Sequence, residues 1–340
     1  MKKVALEHAV GEVLGHDVTE VNLQQGRKGV AFKRGHVIAQ EDLAILQQLG
    51  KRHIYVWEGT EDEVHEDDAA RVLAPMLAGQ HVRYDAQPHE GKIGFYATVA
   101  GIFKVDTERL QRINALAIPS LPTIHNNFPV VSDKQVAAFR IIPLSCAPAV
   151  LDKVRAELDE ALFSVKPYRL RRAAILVTGS EVHSGIIQDD FTPRLRTKLQ
   201  RLGVEVVSTE IVPDHQQTIC TALQRAIAVA ELILVTGGTS VDPDDLTVQA
   251  MQQAGVDFPF QGNPIQPGNN MTIGYAGETT VCAVPAAALF FAATALDIFL
   301  PRLLAADPIT PQEIARSGHG GLCHFCPKCV YPICPFGKGA

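Results

Sequence analysis

Two glycine turns constrain this chain more than any other feature. The first, Val177-Thr178-Gly179-Ser180-Glu181, closes the apolar run Ala173–Val177. The second, Val235-Thr236-Gly237-Gly238-Thr239-Ser240-Val241-Asp242-Pro243-Asp244-Asp245, closes the run Glu231–Val235. A short apolar run ending in glycine, followed by acids and a helical pattern, is how a buried strand of a parallel α/β sheet reads. In such sheets ligands bind at the turns beyond the carboxyl ends of the strands. Glycine lets the backbone approach an anion closely, and helix N-termini supply N–H donors.

The alternation continues through residues 171–306. Strand Ala173–Thr178 precedes helix Pro193–Leu202, and strand Val204–Thr209 precedes helix Gln216–Ala230. Strand Glu231–Thr236 precedes helix Leu246–Ala254, and strands Met271–Tyr275 and Thr280–Ala283 follow. This order predicts a parallel sheet with helices on both faces, joined by right-handed crossovers. The Ala-rich run Pro285–Leu300 contains Asp297 and is followed by Pro301 and Arg302. It falls short of the roughly 20 residues a membrane span needs, and reads as a buried helix.

Residues 1–60 form a β-rich N-terminal region, with strand candidates at Val13–Val18, Lys28–Phe32 and His53–Trp57 and a helix over Gln40–Leu49 ended by Gly50. Residues 61–170 form a helix linker and an α+β middle region. It holds a helix over Val64–Leu77 and a hairpin of Ile93–Val99 with Ile102–Val105 around Ala100-Gly101. A helix over Thr107–Ala115, a strand over Gln135–Pro143 and an amphipathic helix over Ala147–Ser164 complete it.

A chain of 340 residues, 46% hydrophobic and 20% charged, has material for sizeable cores. Its net charge of −6 gives no basic footprint for nucleic acid. No apolar signal core follows Met1-Lys2-Lys3, so a cytoplasmic location without a membrane partner is expected.

At the turns, Gly237 and Gly238 can present N–H groups to an anion. Thr239 and Ser240 add hydroxyls. Glu181, Asp242, Asp244 and Asp245 add carboxylates suited to Mg²⁺. Asp242 and Asp244 serve equally well as caps of the next helix. His183, His125 and His215 have no partner that the sequence identifies, and solvated loop histidines account for them.

The order Thr178-Gly179-Ser180-Glu181, Val212-Pro213-Asp214, Gly237-Gly238-Thr239-Ser240-Val241, Asp245 and Pro267-Gly268 resembles the molybdopterin-binding domain of the molybdopterin molybdotransferases. These gephyrin-like proteins insert molybdate into adenylated molybdopterin. The resemblance covers residues 171–306. It extends to Ala9–Val18 and to Lys28-Gly29 through Gly50. It implies a molybdenum-cofactor biosynthesis protein, with Asp245, Asp242 and Glu181 as catalytic acids holding Mg²⁺ and molybdate. The cradle for molybdopterin or its adenylate would be Thr178, Gly179, Ser180, Gly237, Gly238, Thr239, Ser240, Pro267, Gly268 and Pro285. A homodimer, with a molybdoenzyme as possible client, is the implied assembly.

Departures from that family favour binding over chemistry. Pro267-Gly268-Asn269-Asn270 stands where the family has Pro-Gly-Lys-Pro, and Pro285-Ala286-Ala287-Ala288 where it has Pro-Gly-Asn-Pro. The family's Ser-Ala-Met-Asp-Gly-Tyr segment is absent. A non-catalytic carrier or maturation factor for the finished cofactor is therefore the alternative. Catalysis needs charge placed where the transition state develops.

Three of the seven cysteines, Cys146, Cys220 and Cys282, stand alone in apolar surroundings and read as core thiols. The other four, Cys323, Cys326, Cys329 and Cys334, have the spacing C-x₂-C-x₂-C-x₄-C-P. Bacterial ferredoxins use a spacing one residue shorter, whereas structural zinc sites use two separated knuckles. The tail, residues 307–340, reads as metal-binding, for an iron–sulfur cluster or for zinc with His319 or His324 in place of one thiolate. A redox or interaction tail is the remaining reading. Glycines at 318–321 and 337–339 suggest a flexible appendage.

Overall fold

In the computed structural model, residues 1–22, 27–57, 62–238 and 246–338 are described. Thr239, Ser240, Asp242, Asp244 and Asp245 lie outside the described residues. The chain divides into two compact units. One comprises Met1–Thr98, Val105–Ile124 and Ser132–Ser164, the other Val99–Lys104, His125–Val131 and Val165–Ala340.

In the first unit, Lys2–Ala5 pairs antiparallel with His53–Val56, and Val18–Asn22 with Arg27–Phe32. With helix Asp42–Gln48 they enclose a small core around Leu14, Leu46 and Ile54. The expected strand Val13–Val18 is not formed. Val13 and Leu14 make single bridges to Val37 and Val56, and Asp17 turns the chain by accepting the Arg34 N–H at 2.8 Å.

The next helix is Glu66–Leu77, two residues shorter than expected at its start. Val64-His65 instead pairs with Ser145-Cys146. His65 Nδ1 then caps the helix by accepting the Asp67 N–H at 3.1 Å.

The expected hairpin around Ala100-Gly101 is absent. Ile93–Ala97 pairs with Val82–Tyr84 and Gln135–Ile141, while Gly101–Val105 pairs with Phe128–Val130. The expected helix Ala147–Ser164 stops at Arg155, and Phe163–Pro167 is a strand. The Arg109 guanidinium donates to the carbonyls of Glu157 and Glu160, at 3.2 and 3.0 Å, where a continuing helix would use them.

The second unit is built on a six-stranded sheet. Its elements are β1 (Arg172–Thr178), α1 (Phe191–Arg201), β2 (Glu205–Val212), α2 (Gln216–Ile227), β3 (Leu232–Thr236) and α3 (Thr247–Gln253). Then come β4 (Asp257–Phe260), β5 (Thr272–Ala276), β6 (Thr279–Val284), α4 (Ala295–Leu304) and α5 (Pro311–Arg316). The strand order is β2-β1-β3-β6-β5-β4. β2, β1, β3 and β6 are parallel, and β5 runs antiparallel to both of its neighbours, β6 and β4. The sheet is thus mixed rather than wholly parallel, because Gly277-Glu278 joins β5 to β6 as a tight turn instead of a crossover.

Alternation along the strands divides two cores. Ala173, Ile175 and Val177 of β1 and Leu234 of β3 pack with Leu195 and Leu199 of α1 and with Leu296, Phe299 and Leu300 of α4. Ala174, Leu176, Ile233 and Val235 pack on the other face with Ile219 and Leu223 of α2 and Met251 of α3. Fully burying each such side chain contributes roughly 1.5–3 kcal/mol. Burial pushes the Cys282 thiol in β6 up to about 12 and raises that of Cys146, so both stay protonated core thiols.

The run Pro285–Leu300 is not one helix. A turn of helix at Ala287–Phe290 ends at Phe291, and α4 starts afresh at a capping box in which the Asp297 carboxylate accepts the Thr294 N–H at 2.8 Å. Asp297 is thus a helix-start residue. The tail is not a flexible appendage either. Gln266 forms a bridge with Leu322, and Phe336 is buried in the α/β core. No helix among the described residues is long and apolar enough to cross a membrane.

Candidate functional site

The site lies at the carboxyl edge of the second unit's sheet, and strand register assembles it. Thr178 pairs with Val212, Val177 with Thr236, and Thr236 with Val284. The residues that follow therefore emerge side by side: Gly179-Ser180, Pro213-Asp214, Gly237-Gly238 and Pro285. From β1 the chain crosses to β2 on one side, then returns past β1 to β3 on the other. Strand order reverses between β1 and β3, which is where open α/β sheets leave a crevice for ligands.

Both turns need glycine. Gly179 (φ 152°), Gly237 (φ 88°) and Gly238 (φ 52°) have positive φ, which side chains disfavour. The turns are cross-braced by threonines. Thr247, the first residue of α3, donates through Oγ1 to the Gly237 carbonyl at 2.8 Å and shares a hydrogen bond with Thr178 Oγ1 at 3.2 Å. Thr236 Oγ1 is buried and has no hydrogen-bond partner among the described residues.

A reciprocal pair fixes the first turn to the end of β2. The Ser180 N–H donates to Asp214 Oδ2 at 2.8 Å, and the Asp214 N–H to Ser180 Oγ at 3.2 Å. Ser180 is thereby engaged by the protein itself. The Glu181 side chain is exposed. His183 Nδ1 meets the Ile211 carbonyl at 3.1 Å, as an N–H donor, so the ring is anchored rather than loose.

Pro267-Gly268 lies on the same edge, just before β5, whose Thr272 pairs with Ala283 near the end of β6. Pro267 O accepts the Ala295 N–H at 3.0 Å, and Asn263 Nδ2 donates to Gly268 O at 3.1 Å. This segment braces the start of α4. Glu231, just before β3, lies at the opposite edge. Its carboxylate accepts the N–H groups of Arg171 and Arg172 at 2.6 and 3.0 Å.

The structure thus brings Thr178, Gly179, Ser180, Glu181, Gly237, Gly238 and Pro285 to one edge, with Pro267 and Gly268 beside α4. Thr247 and Asp214 are positioning residues for the turns. Thr247 follows the Gly-Gly turn by too many residues for sequence to link them, whereas the Val212-Pro213-Asp214 string already marked its place. Among the described residues no group of three or more His, Cys, Asp or Glu side chains converges as a metal-ion site, at the turns or in the cysteine tail.

Residues 174–305 match the family model described as a probable molybdopterin binding domain. This segment is similar to molybdopterin-binding domains. Residues 3–58 match a second model, described as a domain of unknown function (DUF8806). A CinA-like protein of Desulfosudis oleivorans is 39% identical over 82 residues, 24% of this chain and 20% of that protein. A molybdopterin molybdenumtransferase of Haemophilus influenzae is 28% identical over 128 residues, 36% of this chain and 31% of that protein. The chain spans less than a third of the length of these curated relatives.

Among solved structures, the molybdopterin biosynthesis enzyme MoaB of Thermus thermophilus is 21% identical, covering 41% of this chain and 99% of that one, with a TM-score of 0.31. A molybdenum cofactor biosynthesis protein of Pyrococcus furiosus is 16% identical, covering 90% and 63%, with a TM-score of 0.27. Likeness at these scores supports no further conclusion. The matched segment contains the glycine-turn edge.

Proposed function

We propose that this protein acts in molybdenum-cofactor biosynthesis by binding molybdopterin, or its adenylated form, across Thr178–Ser180 and Gly237–Ser240. One observation carries the reading: the register that sets Gly179, Gly237 and Pro285 side by side where strand order reverses. Backbone N–H groups there suit a phosphate, and with Asn269 where the resembled family has a lysine the backbone is the main donor to the anion.

In the enzymatic form of this reading the chain inserts molybdate into adenylated molybdopterin with release of AMP. Mg²⁺ would be held by Asp245, Asp242 and Glu181, whose carboxylate oxygens suit a hard cation, and would neutralise charge on the phosphate. In the alternative the chain is a carrier that holds the finished cofactor for a molybdoenzyme. Asn269 in place of that lysine favours it, since transition-state stabilisation needs the cation whereas backbone donors alone can still bind.

The test is AMP release by anaerobically prepared protein given adenylated molybdopterin, molybdate and Mg²⁺. The enzymatic reading expects multiple turnovers that Asp245→Asn abolishes without loss of stability. The carrier reading expects tight pterin binding without release. Absence of both binding and release removes the pterin reading. A homodimer in a cytoplasmic setting accompanies both readings, and sedimentation at working concentration checks the dimer.

A further inference from the structure

The four tail cysteines are gathered in the fold as well as in the sequence. Cys323, Cys326, Cys329 and Cys334 all line one cavity of about 680 Å³, walled by Phe291, Tyr331 and Phe336. All four are free thiols. We infer that this cavity is a preformed cradle for one iron–sulfur cluster, ligated by Cys323, Cys326, Cys329 and Cys334.

The cradle is held from outside itself. The Cys323 N–H donates to Gln266 O and the Gln266 N–H to Gly321 O, both at 2.8 Å. Tyr331 donates through its hydroxyl to Asp297 O at 2.8 Å, and Phe336 is only 1% exposed. Ligands fixed in this way lose little entropy when the group enters. At the first knuckle the Phe325 N–H donates to Cys323 Sγ at 3.4 Å, with Phe325 in the left-handed region at φ 52°. Amide donors aimed at cysteine sulfur stabilise thiolate ligands and tune cluster potentials.

Geometry separates a cluster from a single ion. Zinc draws every thiolate to about 2.3 Å from one point. Here no three ligand side chains among the described residues are gathered as a single-ion site, yet all four cysteines line one void. A four-iron cluster fills a void and takes each of four thiolates on a different iron. The aromatic walls supply a hydrophobic shell of the kind that tunes a bound metal group. The spacing C-x₂-C-x₂-C-x₄-C-P places three ligands on one loop and the fourth beyond it. The inference is independent of what the glycine-turn edge binds.

The full chain, purified anaerobically and reconstituted with ferrous iron and sulfide, is expected to hold about four of each per chain. It should show a broad visible absorption that dithionite bleaches. Cys326→Ser and Cys329→Ser, both at exposed positions, should each lose the chromophore while keeping the far-ultraviolet circular dichroism. His324→Ala and Cys146→Ser should keep it. Uptake of one zinc per chain with no iron–sulfur chromophore overturns the inference, and so does a chromophore that survives Cys329→Ser.

Discussion

Gly237 lies against the main chain of Thr178, so that a Cβ on Gly237 would overlap Thr178 O and come within 2.6 Å of Thr178 Oγ1. This approach closes the end of β3 onto the end of β1. It leaves the two turns sharing one surface, braced by Thr247. Gly237→Ala must therefore move backbone, and it also places a side chain at φ 88°. We expect a loss of about 1–3 kcal/mol of stability, together with a larger loss of pterin affinity. Chemical denaturation and a pterin fluorescence titration, run on the same variant, separate the two. Wild-type affinity in a folded Gly237→Ala protein would remove this turn from the site.

The Ser180–Asp214 pair leads to a milder expectation. Asp214→Ala leaves the Ser180 N–H without its acceptor at an exposed turn, which costs about 0.5–1.5 kcal/mol. Asp214→Asn keeps an acceptor oxygen and should recover most of that loss. If the pair also shapes the cradle, Asp214→Ala weakens pterin binding more than it lowers the melting temperature. Equal behaviour of Ala and Asn in the titration would show that Asp214 does not position the turn.

The centre of the sheet was readable because β1 and β3 are buried on both faces. Residues 173–177 and 232–235 are continuous apolar runs, as parallel strands between two helical layers must be. The edge residues were also readable, because glycine at a strand end is local information. Pairing in the middle region was not. Gln135–Ile141 joins Ile93–Ala97 across some forty residues (roughly, by loop length), and no local pattern specifies that choice. The antiparallel β5 is a different case. Its link to β6 is only Gly277-Glu278, too short for a crossover, and this signal was present in the sequence. The break before α4 was likewise encoded in Thr294 and Asp297, a capping pair hidden inside an apolar run.

Leu234 of β3 stands between α1 and α4 and is fully buried. Leu234→Ala should cost about 2–5 kcal/mol and leave the pterin affinity of the remaining folded protein near wild type. Urea denaturation checks the first part, and titration below the unfolding range checks the second. A cost under about 1 kcal/mol would mean that the two layers collapse onto the cavity.

Asp307 supplies the pH dependence. Its carboxylate is buried and meets Arg302 Nε at 2.7 Å, Lys104 Nζ at 3.0 Å and Lys166 Nζ at 2.5 Å, while Arg302 also pairs with Glu313 at 2.8 Å. Burial pushes the Asp307 carboxyl up, but Lys166, Lys104 and Arg302 together outweigh it and hold it below the usual carboxylate range. A folded value below the unfolded one means that the charged form is the stabilising form. The contribution is fully present above the ordinary carboxylate value of about 4 and is lost as pH falls through the lower folded value. Asp307→Asn leaves three cations facing a neutral amide, two of them largely buried, and should cost about 3–5 kcal/mol near neutrality. The difference in unfolding free energy between wild type and variant should be flat from pH 7 down to about pH 5 and shrink below about pH 4. Glu313 is present in both proteins, so most of its own titration cancels in the difference. A gap between the two proteins that does not narrow with acid would mean that Asp307 acts through packing and not through its charge.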